Sequence, residues 1–343
     1  MRSHVADPNT VKPPDPGSSV PPKRPARKHS IRSVLRVGFR DYAIVISLLV
    51  LIFALTVLSD AFLTKTNLLN VLDQSVSLGI VASAGTFVII AAGFDLSVGS
   101  VFVVAGVVAA LVTNEAGPVA GLVCGPAVGL AFGAMNGVLV TTARITPFLA
   151  TLGSGIVIGG IATLITGGAV VAVENPGFET LGKGNFLGIR NSIWLLAAWF
   201  IACGLLLSRT TIGRAVYAVG SNANVAHLSG VQVDRIRVFT FVISGLAAGI
   251  AGTISASRFA LAQAGVGQGI TLTAIAAIAI GGTSILGGQG AMWRTAVGVA
   301  MLVLLQNGLT LLAVNPAYRD VLTGAIIIFA VALDALSRRT AGR

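Results

Sequence analysis

The sequence has few charged residues, which make up only 10% of its 343 positions, whereas 55% are hydrophobic. A soluble domain typically has about 25% charged residues. A soluble fold cannot hide this much apolar surface from water, so part of the surface must contact lipid. This composition excludes an ordinary soluble domain and predicts a membrane protein.

Cysteine and histidine are also scarce, with two cysteines and three histidines in the whole chain. Cys124 and Cys203 both lie in apolar runs, which is typical of small buried hydrophobic residues and not of a disulfide or a metal site. The three histidines are too scattered to form a ligand cluster. We therefore expect no metal site and no cofactor on this chain.

Catalytic motifs are missing as well. No HExxH motif, no GxSxG motif and no pair of carboxylates on one helical face occurs in the sequence. The segment GFETLGKG, residues 177–184, is similar to a phosphate-binding loop, but Gly184 stands where Ser or Thr would bind magnesium, and no strand is predicted before it. The sequence predicts no enzyme, and ATP and magnesium for any ATP-driven step would have to bind another chain.

Basic residues and prolines are concentrated at the N-terminus. Residues 1–41 hold nine of the 23 lysines and arginines and seven of the twelve prolines. A charged, proline-rich segment with few apolar residues cannot bury enough surface to fold. We expect residues 1–41 to be a disordered cytoplasmic tail that is attracted to membrane lipid and does not bind nucleic acid.

Long apolar runs fill the rest of the chain, and about 20 apolar residues cross a bilayer as a helix. Ten runs are candidate spans: 42–60, 68–92, 97–113, 117–140, 147–167, 192–208, 238–257, 271–287, 295–314 and 320–336. The sequence thus predicts an all-α polytopic membrane protein of about ten transmembrane helices. The predicted transmembrane domain covers residues 42–336, and residues 337–343 form a cytoplasmic C-terminal tail.

The distribution of basic residues predicts the orientation. With a cytoplasmic N-terminus and ten spans, eighteen of the 23 lysines and arginines fall on the cytoplasmic side and five fall outside. This asymmetry agrees with the positive-inside rule, so we expect both termini to be cytoplasmic.

The segment AGFDLSVGS, residues 92–100, separates two predicted spans. Asp95 precedes an apolar helical run whose first residues include Ser97, Gly99 and Ser100. Its carboxylate can accept hydrogen bonds from the first free N–H groups of that helix, where negative charge is favoured. A carboxylate at membrane depth usually has a partner or a function. Two interpretations are open: a helix cap, and a broken helix end that lines a transport path.

The longest predicted cytoplasmic loop, residues 209–237, contains a short helical segment. Asn222 is a plausible N-cap for residues 223–228, and Gly230 is a plausible stop. Because a connector between spans needs only a few residues, this loop fits a docking helix for a soluble partner better than a solvated connector.

Glycine recurs at every fourth position of one predicted span, at Gly117, Gly121, Gly125, Gly129, Gly133 and Gly137. Small residues at this spacing let helices approach closely in lipid. Each step of four residues turns a helix by about 400°, so the row drifts by about 40° per step. We expect the outer three and the inner three glycines to pack against different neighbours.

Four polar residues in or near the spans are candidates for the lining of a transport path: Asn136, Thr146, Gln289 and Asn307. Hydrogen bonding between helices is the alternative role for each of them, and it is the commoner one for polar residues in spans.

Five segments in order resemble the permease subunit of ribose-type sugar ABC importers: FDLSVGS, NGVLVTTARITPFLATLG, RAVYAVGSNANVAHLSGV, AIAAIAIGGTSILGGQG and QNGLTLLAV, between residues 67 and 336. The resemblance implies a bacterial inner-membrane permease that imports a monosaccharide by alternating access. It also implies three partners: a cytoplasmic ATP-binding subunit, a periplasmic sugar-binding protein and a second permease chain, identical or related.

The resemblance further implies that residues 213–230 contact the ATPase. The residues expected to couple to it are Gly213, Arg214, Gly220, Asn222, Ala226, Leu228, Ser229 and Gly230. The sequence departs from the family pattern at Thr271 and Thr273, where carboxylates are common, and at Asp73, where an arginine is common. These departures leave the solute open. Related permeases for branched-chain amino acids or autoinducers are alternatives, as is an ion-coupled secondary transporter that uses Asp95.

Overall fold

The protein is described by a computed structural model that covers residues 31–267 and 269–315 and the positions 317, 318, 321, 322, 324, 325 and 328. The chain divides into two units, Met1–Asp41 and Tyr42–Arg343, and every element after the first helix belongs to the second unit.

The described part of the chain is mainly helical. Its twelve helices are α1 (Ile31–Leu58), α2 (Lys65–Ile90), α3 (Val98–Ala116), α4 (Pro118–Thr141), α5 (Pro147–Thr166), α6 (Pro176–Lys183), α7 (Asn191–Arg209), α8 (Thr211–Ser221), α9 (Ala223–Leu228), α10 (Val233–Phe259), α11 (Ile270–Ile280) and α12 (Met292–Leu311). Two antiparallel strand pairs lie in the connections: β1 (Val170–Ala172) with β4 (Leu261–Gln263), and β2 (Asn185–Phe186) with β3 (Ile189–Arg190). The predicted all-α class is confirmed.

Seven helices are long and apolar enough to cross a membrane: α2, α3, α4, α5, α7, α10 and α12. Each corresponds to one of the predicted spans, with boundaries that differ by a few residues. Two shorter apolar helical segments are Ile44–Leu58, within α1, and α11. The chain is therefore a polytopic membrane protein, and the total of ten spans stays a prediction.

The predicted span 271–287 is wrong in its extent. The helix in this region is α11, which has 11 residues and ends at Ile280. Gly282, Gly287 and Gly288 follow with positive φ angles of 80°, 88° and 73°. This left-handed backbone cannot continue an α-helix, so a compact loop follows. An 11-residue helix is too short to cross a bilayer alone.

The predicted boundary of the N-terminal tail is also wrong, because α1 begins at Ile31 and residues 31–41 are helical. The predicted tail residues 1–30 and the C-terminal tail 337–343 lie outside the described residues. Most of the predicted tenth span, 320–336, lies outside them as well.

The helix α10 is the centre of the packing and contacts α2, α3 and α4. Most of the apolar length of α2, α3 and α10 is buried inside the protein, whereas most of α5 and α7 is exposed. In a membrane, such exposed apolar faces meet lipid or another protein chain.

The outer glycines of α4 lie against α3. A Cβ atom added at Gly121 would lie 2.5 Å from the carbonyl oxygen of Ala109, and one at Gly125 would overlap the hydroxyl of Thr253 in α10 while also touching α3. Gly117 departs from the expected packing role. It lies between α3 and α4 with φ of 90°, and a Cβ there would have nothing within 4 Å, so it serves the turn.

The inner glycines of α4 lie against α10. A Cβ atom added at Gly129 or Gly133 would overlap backbone carbonyl oxygens of α10, and one at Gly137 would lie 2.9 Å from the Cα atom of Val238. Gly245 of α10 faces back, and its own Cβ would lie 2.6 Å from the Cα atom of Gly133. The row thus changes its neighbour from α3 to α10 along the helix, and the two backbones touch through glycine on both sides.

Candidate functional site

The link between α2 and α3, residues 91–97, holds a buried carboxylate. Asp95 is 8% exposed. Its Oδ1 atom accepts hydrogen bonds from the backbone N–H of Ser97 at 3.0 Å and from the Ser97 hydroxyl at 2.6 Å. Its Oδ2 atom accepts one from the Ser244 hydroxyl of α10 at 2.7 Å. Asp95 therefore ties the link to itself and to the central helix.

The expected helix cap takes a different form. Asp95 accepts from the N–H of Ser97, which is the residue before the first helical residue of α3, and not from the first turn itself. The N–H of Gly99, inside that turn, donates to the hydroxyl of Thr271 in α11 at 2.8 Å, and the N–H of Leu96 donates to the hydroxyl of Thr151 in α5 at 3.0 Å. Side chains from two other helices supply the remaining acceptors.

The side chain of Asn136 extends this network from α4. It is fully buried, and its Nδ2 donates to the Ser97 hydroxyl at 2.7 Å. Within the described residues its Oδ1 atom has no hydrogen-bond partner. Asn136, Ser97 and Asp95 thus form a continuous chain of hydrogen bonds, in which each donor finds an acceptor closer to the link.

The other path candidates lie elsewhere. Asn307 of α12 exchanges two hydrogen bonds with Asn67 of α2, at 2.9 and 3.1 Å, and therefore joins two helices. Thr146 is exposed before the start of α5, and Gln289 is exposed in the loop that follows α11. The four candidates do not share one cavity.

A cavity of about 490 Å³ lies beside the start of α3, between α3, α5 and α11. Hydroxyl groups line it through Ser100, Thr163 and Thr271, and apolar residues and the glycines of α5 form the rest of its wall. Of the predicted motif around Asp95, Gly99 and Ser100 reach this cavity. Sequence reasoning missed Thr163, because nothing in a single sequence shows which face of α5 turns toward α3.

We expect Asp95→Ala to lower the free energy of unfolding by about 3 kcal/mol, because it leaves the Ser97 N–H and the Ser244 hydroxyl buried without an acceptor. Asp234→Ala, which removes an exposed carboxylate at the start of α10, is the control. Thermal unfolding of both purified variants measures the difference, and equal stability of the two would contradict the anchoring role.

The predicted coupling loop consists of two helices, α8 and α9. Asn222 caps α9, where its Oδ1 accepts from the N–H of Val225 at 3.1 Å, which confirms the predicted cap and helix. The helix α8, over residues predicted as loop, was missed. Gly230 follows α9 with φ of 84°.

Contacts join α8 to the end of α2 and to the loop after α11. A Cβ atom at Gly220 would overlap the carbonyl oxygen of Ile90, the same oxygen that accepts from the N–H of Gly288 at 2.8 Å. The Tyr217 hydroxyl donates to the carbonyl oxygen of Gly290 at 2.7 Å. Burial raises the pKa of this phenol, so it stays protonated and can donate at neutral pH. Because Ile90 is the last residue of α2, α8 touches the position where the Asp95 link begins.

The eight expected coupling residues divide into two groups. Gly213 and Ala226 are buried and Gly220 is half-buried, so these three face the protein. The exposed members are Arg214, Asn222, Leu228, Ser229 and Gly230. Leu228 is 85% exposed and Val225, beside it on α9, is 57% exposed. Two exposed apolar side chains on a six-residue helix form a small contact surface.

A second buried carboxylate, Asp73, lies in α2 between two arginines. Its Oδ2 atom pairs with the guanidinium of Arg190 at 2.5 Å and with that of Arg258 at 2.6 Å. Arg258 also donates to the backbone carbonyl of Asp73 at 3.1 Å, and the Ser192 hydroxyl lies 3.4 Å from its Oδ1 atom. The carboxylate is thus fully occupied and joins α2 to the start of α7 and the end of α10.

Taken together, the broken helix, the short α11 and the buried polar network define a membrane transport protein, because irregular backbone at membrane depth is tolerated where it is buried in protein or lines a cavity. The family described as branched-chain amino acid transport system / permease component matches residues 67–331. The chain belongs to this permease family. It is a transport subunit and a multi-pass membrane protein.

Individual relatives cover most of the chain. The ribose import permease protein RbsC of Escherichia coli (strain K12) is 37% identical over 294 residues, 84% of this chain and 92% of that protein. RbsC of Bacillus subtilis (strain 168) is 37% identical over 292 residues, 84% and 91% respectively. The L-arabinose ABC transporter permease protein AraH of Azospirillum brasilense is 35% identical over 326 residues, 95% and 94% respectively. No solved structure matches the chain significantly.

Proposed function

We propose that this chain is the membrane-spanning subunit of an ATP-driven importer for a monosaccharide, a pentose in the first instance. The observation that carries the proposal is the similarity, over 84–95% of the chain, to permeases that are named for ribose and for L-arabinose. The family description also names branched-chain amino acids, so a permease for such an amino acid is the second candidate.

The proposed partners are a cytoplasmic ATP-binding subunit, a periplasmic sugar-binding protein and a second permease chain, identical or related. ATP and magnesium would bind the ATP-binding subunit. The proposed orientation has both termini in the cytoplasm, because eighteen of the 23 basic residues then lie on that side. The exposed apolar faces of α5 and α7 support contact with lipid and with the second permease.

The proposed transport path includes the cavity beside the start of α3. Its hydroxyl groups, on Ser100, Thr163 and Thr271, can exchange hydrogen bonds with the hydroxyl groups of a sugar. None of the three is charged, so the path is only weakly polar and does not hold the solute tightly. Selection of the solute would then rest on the binding protein.

The proposed coupling route runs from α9 through α8 to the Asp95 link. ATP binding would draw the ATP-binding subunits together and move α8 and α9 with them. Because Gly220 of α8 lies against the carbonyl oxygen of Ile90, this movement would shift the end of α2 and the link that follows. The link would then have different contacts in the inward-open and outward-open states, as alternating access requires.

We expect Leu228→Ser to lower the substrate-stimulated ATPase rate of the assembled complex about tenfold, because the side chain is 85% exposed on α9 and its replacement removes apolar contact area. Leu63→Ser is the control, since Leu63 is 55% exposed between α1 and α2. An unchanged rate in Leu228→Ser would contradict the coupling role. A bulky residue at Gly213 is a poorer test, because a Cβ there would overlap the carbonyl oxygen of Leu207 and disturb the turn itself.

The proposal is tested by reconstituting this permease with its ATP-binding subunit and binding protein in liposomes. Uptake of labelled ribose, L-arabinose, a hexose and leucine is measured with and without ATP. We expect ATP-dependent uptake of a sugar. Uptake of leucine alone would favour the amino acid permease. Uptake by the permease alone, driven by an ion gradient, would overturn the proposal in favour of a secondary transporter.

A further inference from the structure

A polar cavity of about 250 Å³ lies where three segments meet: the α2–α3 link, the connection from α4 to α5, and the start of α10. Its polar lining consists of Thr141, Arg144, Thr146, Asp234, Arg237 and Thr240. The cavity is separate from the one beside Ser100 and plays no part in the proposed transport path.

The charges in this cavity are not balanced. Among the described residues, no carboxylate lies within 4.0 Å of the guanidinium groups of Arg144 and Arg237. Asp234 supplies one negative charge, so the lining has an excess of positive charge. Guanidinium groups next to threonine hydroxyls are the groups that bind a phosphate, because they donate several hydrogen bonds and carry charge of the opposite sign.

The backbone here is unusual as well. Arg144 has φ of 54°, a conformation that is uncommon for a residue other than glycine and is often found at functional sites. The start of α5 lines the same cavity through Thr146 and Pro147, and no side chain caps this helix. The uncapped N–H groups add positive partial charge to that of the two arginines.

An apolar stripe continues from the cavity along α5. Ile145 lines the cavity and is 40% exposed, and the residues that follow on α5, Phe148, Leu149 and Leu152, are 50%, 60% and 41% exposed. These residues open a span, so they face the acyl region of the membrane. A ligand that fits both parts has an anionic head and a long apolar tail, which is the chemistry of a phospholipid.

We propose that this cavity binds the phosphate group of an anionic phospholipid, whose acyl chains lie along the first turns of α5. A soluble protein partner could reach the arginines but not the apolar stripe. The lining also includes Ala91, Ala92 and Gly93, the first residues of the link that carries Asp95. The bound lipid therefore stabilises one arrangement of the link, and the membrane composition tunes the transport rate. This inference does not depend on which solute is carried.

The test uses native mass spectrometry of the purified full-length permease, with added phosphatidylglycerol or phosphatidylcholine. The test variant combines Arg144→Asn with Arg237→Gln. Asparagine tolerates positive φ, so the first change removes the charge without new backbone strain. Arg235→Gln is the matched control, because it removes one exposed charge from the same helix outside the cavity. Thermal unfolding without lipid verifies that all proteins are folded.

We expect the wild type and Arg235→Gln to retain phosphatidylglycerol in preference to phosphatidylcholine. Each substitution in the cavity is expected to weaken this binding by about fivefold. The proposal fails if the double variant binds phosphatidylglycerol like the wild type. It also fails if the wild type binds the two lipids equally.

Inorganic phosphate at millimolar concentration is the second arm of the test. If phosphate protects the wild type against heat as well as the lipid does, the site binds a free anion and the lipid proposal is wrong. The third arm measures assembly of the double variant with the ATP-binding subunit. A variant that keeps its lipid preference but no longer assembles would assign the two arginines to that protein instead.

Discussion

Asp73→Asn lowers the free energy of unfolding by about 3 kcal/mol, at the lower end of the range for breaking a buried ion pair. The side chain of Asp73 is 2% exposed, and the substitution leaves the guanidinium groups of Arg190 and Arg258 without their carboxylate. The arginine side chains are 40% and 24% exposed, so water replaces part of the lost interaction and the larger values of the range are not reached. Reversible unfolding of the purified protein in mixed micelles measures the change.

Asp60→Asn is the matched control for Asp73, because it is the same chemical change at an exposed carboxylate. We expect it to alter stability by less than about 0.5 kcal/mol. A double-mutant cycle adds a stricter test: Arg258→Gln should cost less in the Asp73→Asn background than in the wild type. Additive effects, or an Asp73→Asn variant as stable as Asp60→Asn, would show that the cluster does not hold α2, α7 and α10 together.

Gly129→Leu abolishes the folded protein, and Gly129→Ala lowers the free energy of unfolding by about 3 kcal/mol, the upper end for overpacking. Even the single methyl group of alanine would overlap the carbonyl oxygen of Gly245 and lie 2.7 Å from the Cα atom of Gly249. These are backbone atoms, which cannot rotate away, so α4 and α10 must separate. Because α10 is the centre of the packing, the separation disturbs the whole protein. Yield by size-exclusion chromatography and thermal unfolding measure the effect.

Gly153→Ala is the control for Gly129, because Gly153 lies in α5 and a Cβ there has nothing within 4 Å. Alanine favours a helix over glycine by about 1 kcal/mol, so this variant should be as stable as the wild type or more stable. The preference among transported solutes should be unchanged in the folded fraction of Gly129→Ala. A Gly129→Ala protein of normal stability with an altered solute preference would assign the glycine to the transport path.

The sequence alone determined the class of protein and most of its spans. Low charge and long apolar runs require a membrane environment, because no other solvent accepts so much apolar surface, and seven predicted spans correspond to the seven long apolar helices of the structure. The cap of α9 by Asn222 was also predictable, because it depends on residues only three positions apart.

Local signals failed where the backbone leaves the helix for reasons that lie elsewhere in the chain. The run 271–287 is as apolar as a span, yet α11 ends at Ile280 before a loop of glycines with positive φ. A hydropathy pattern counts apolar residues and cannot show that such a loop packs against α8 and the end of α2. The helix α8 was missed for a related reason, since its polar composition is typical of a loop.

The tertiary structure decided which polar residues share a site. Asp95 in the link meets Ser244 at a distance of 149 residues along the chain, Asn307 pairs with Asn67, and Asp73 finds its two arginines on other helices. The drift of the glycine row was calculable from helix geometry, but the identity of its neighbours was not. Hydrogen bonds and ion pairs act over a few ångströms in space, and only the packing of the helices determines which distant residues come within that range.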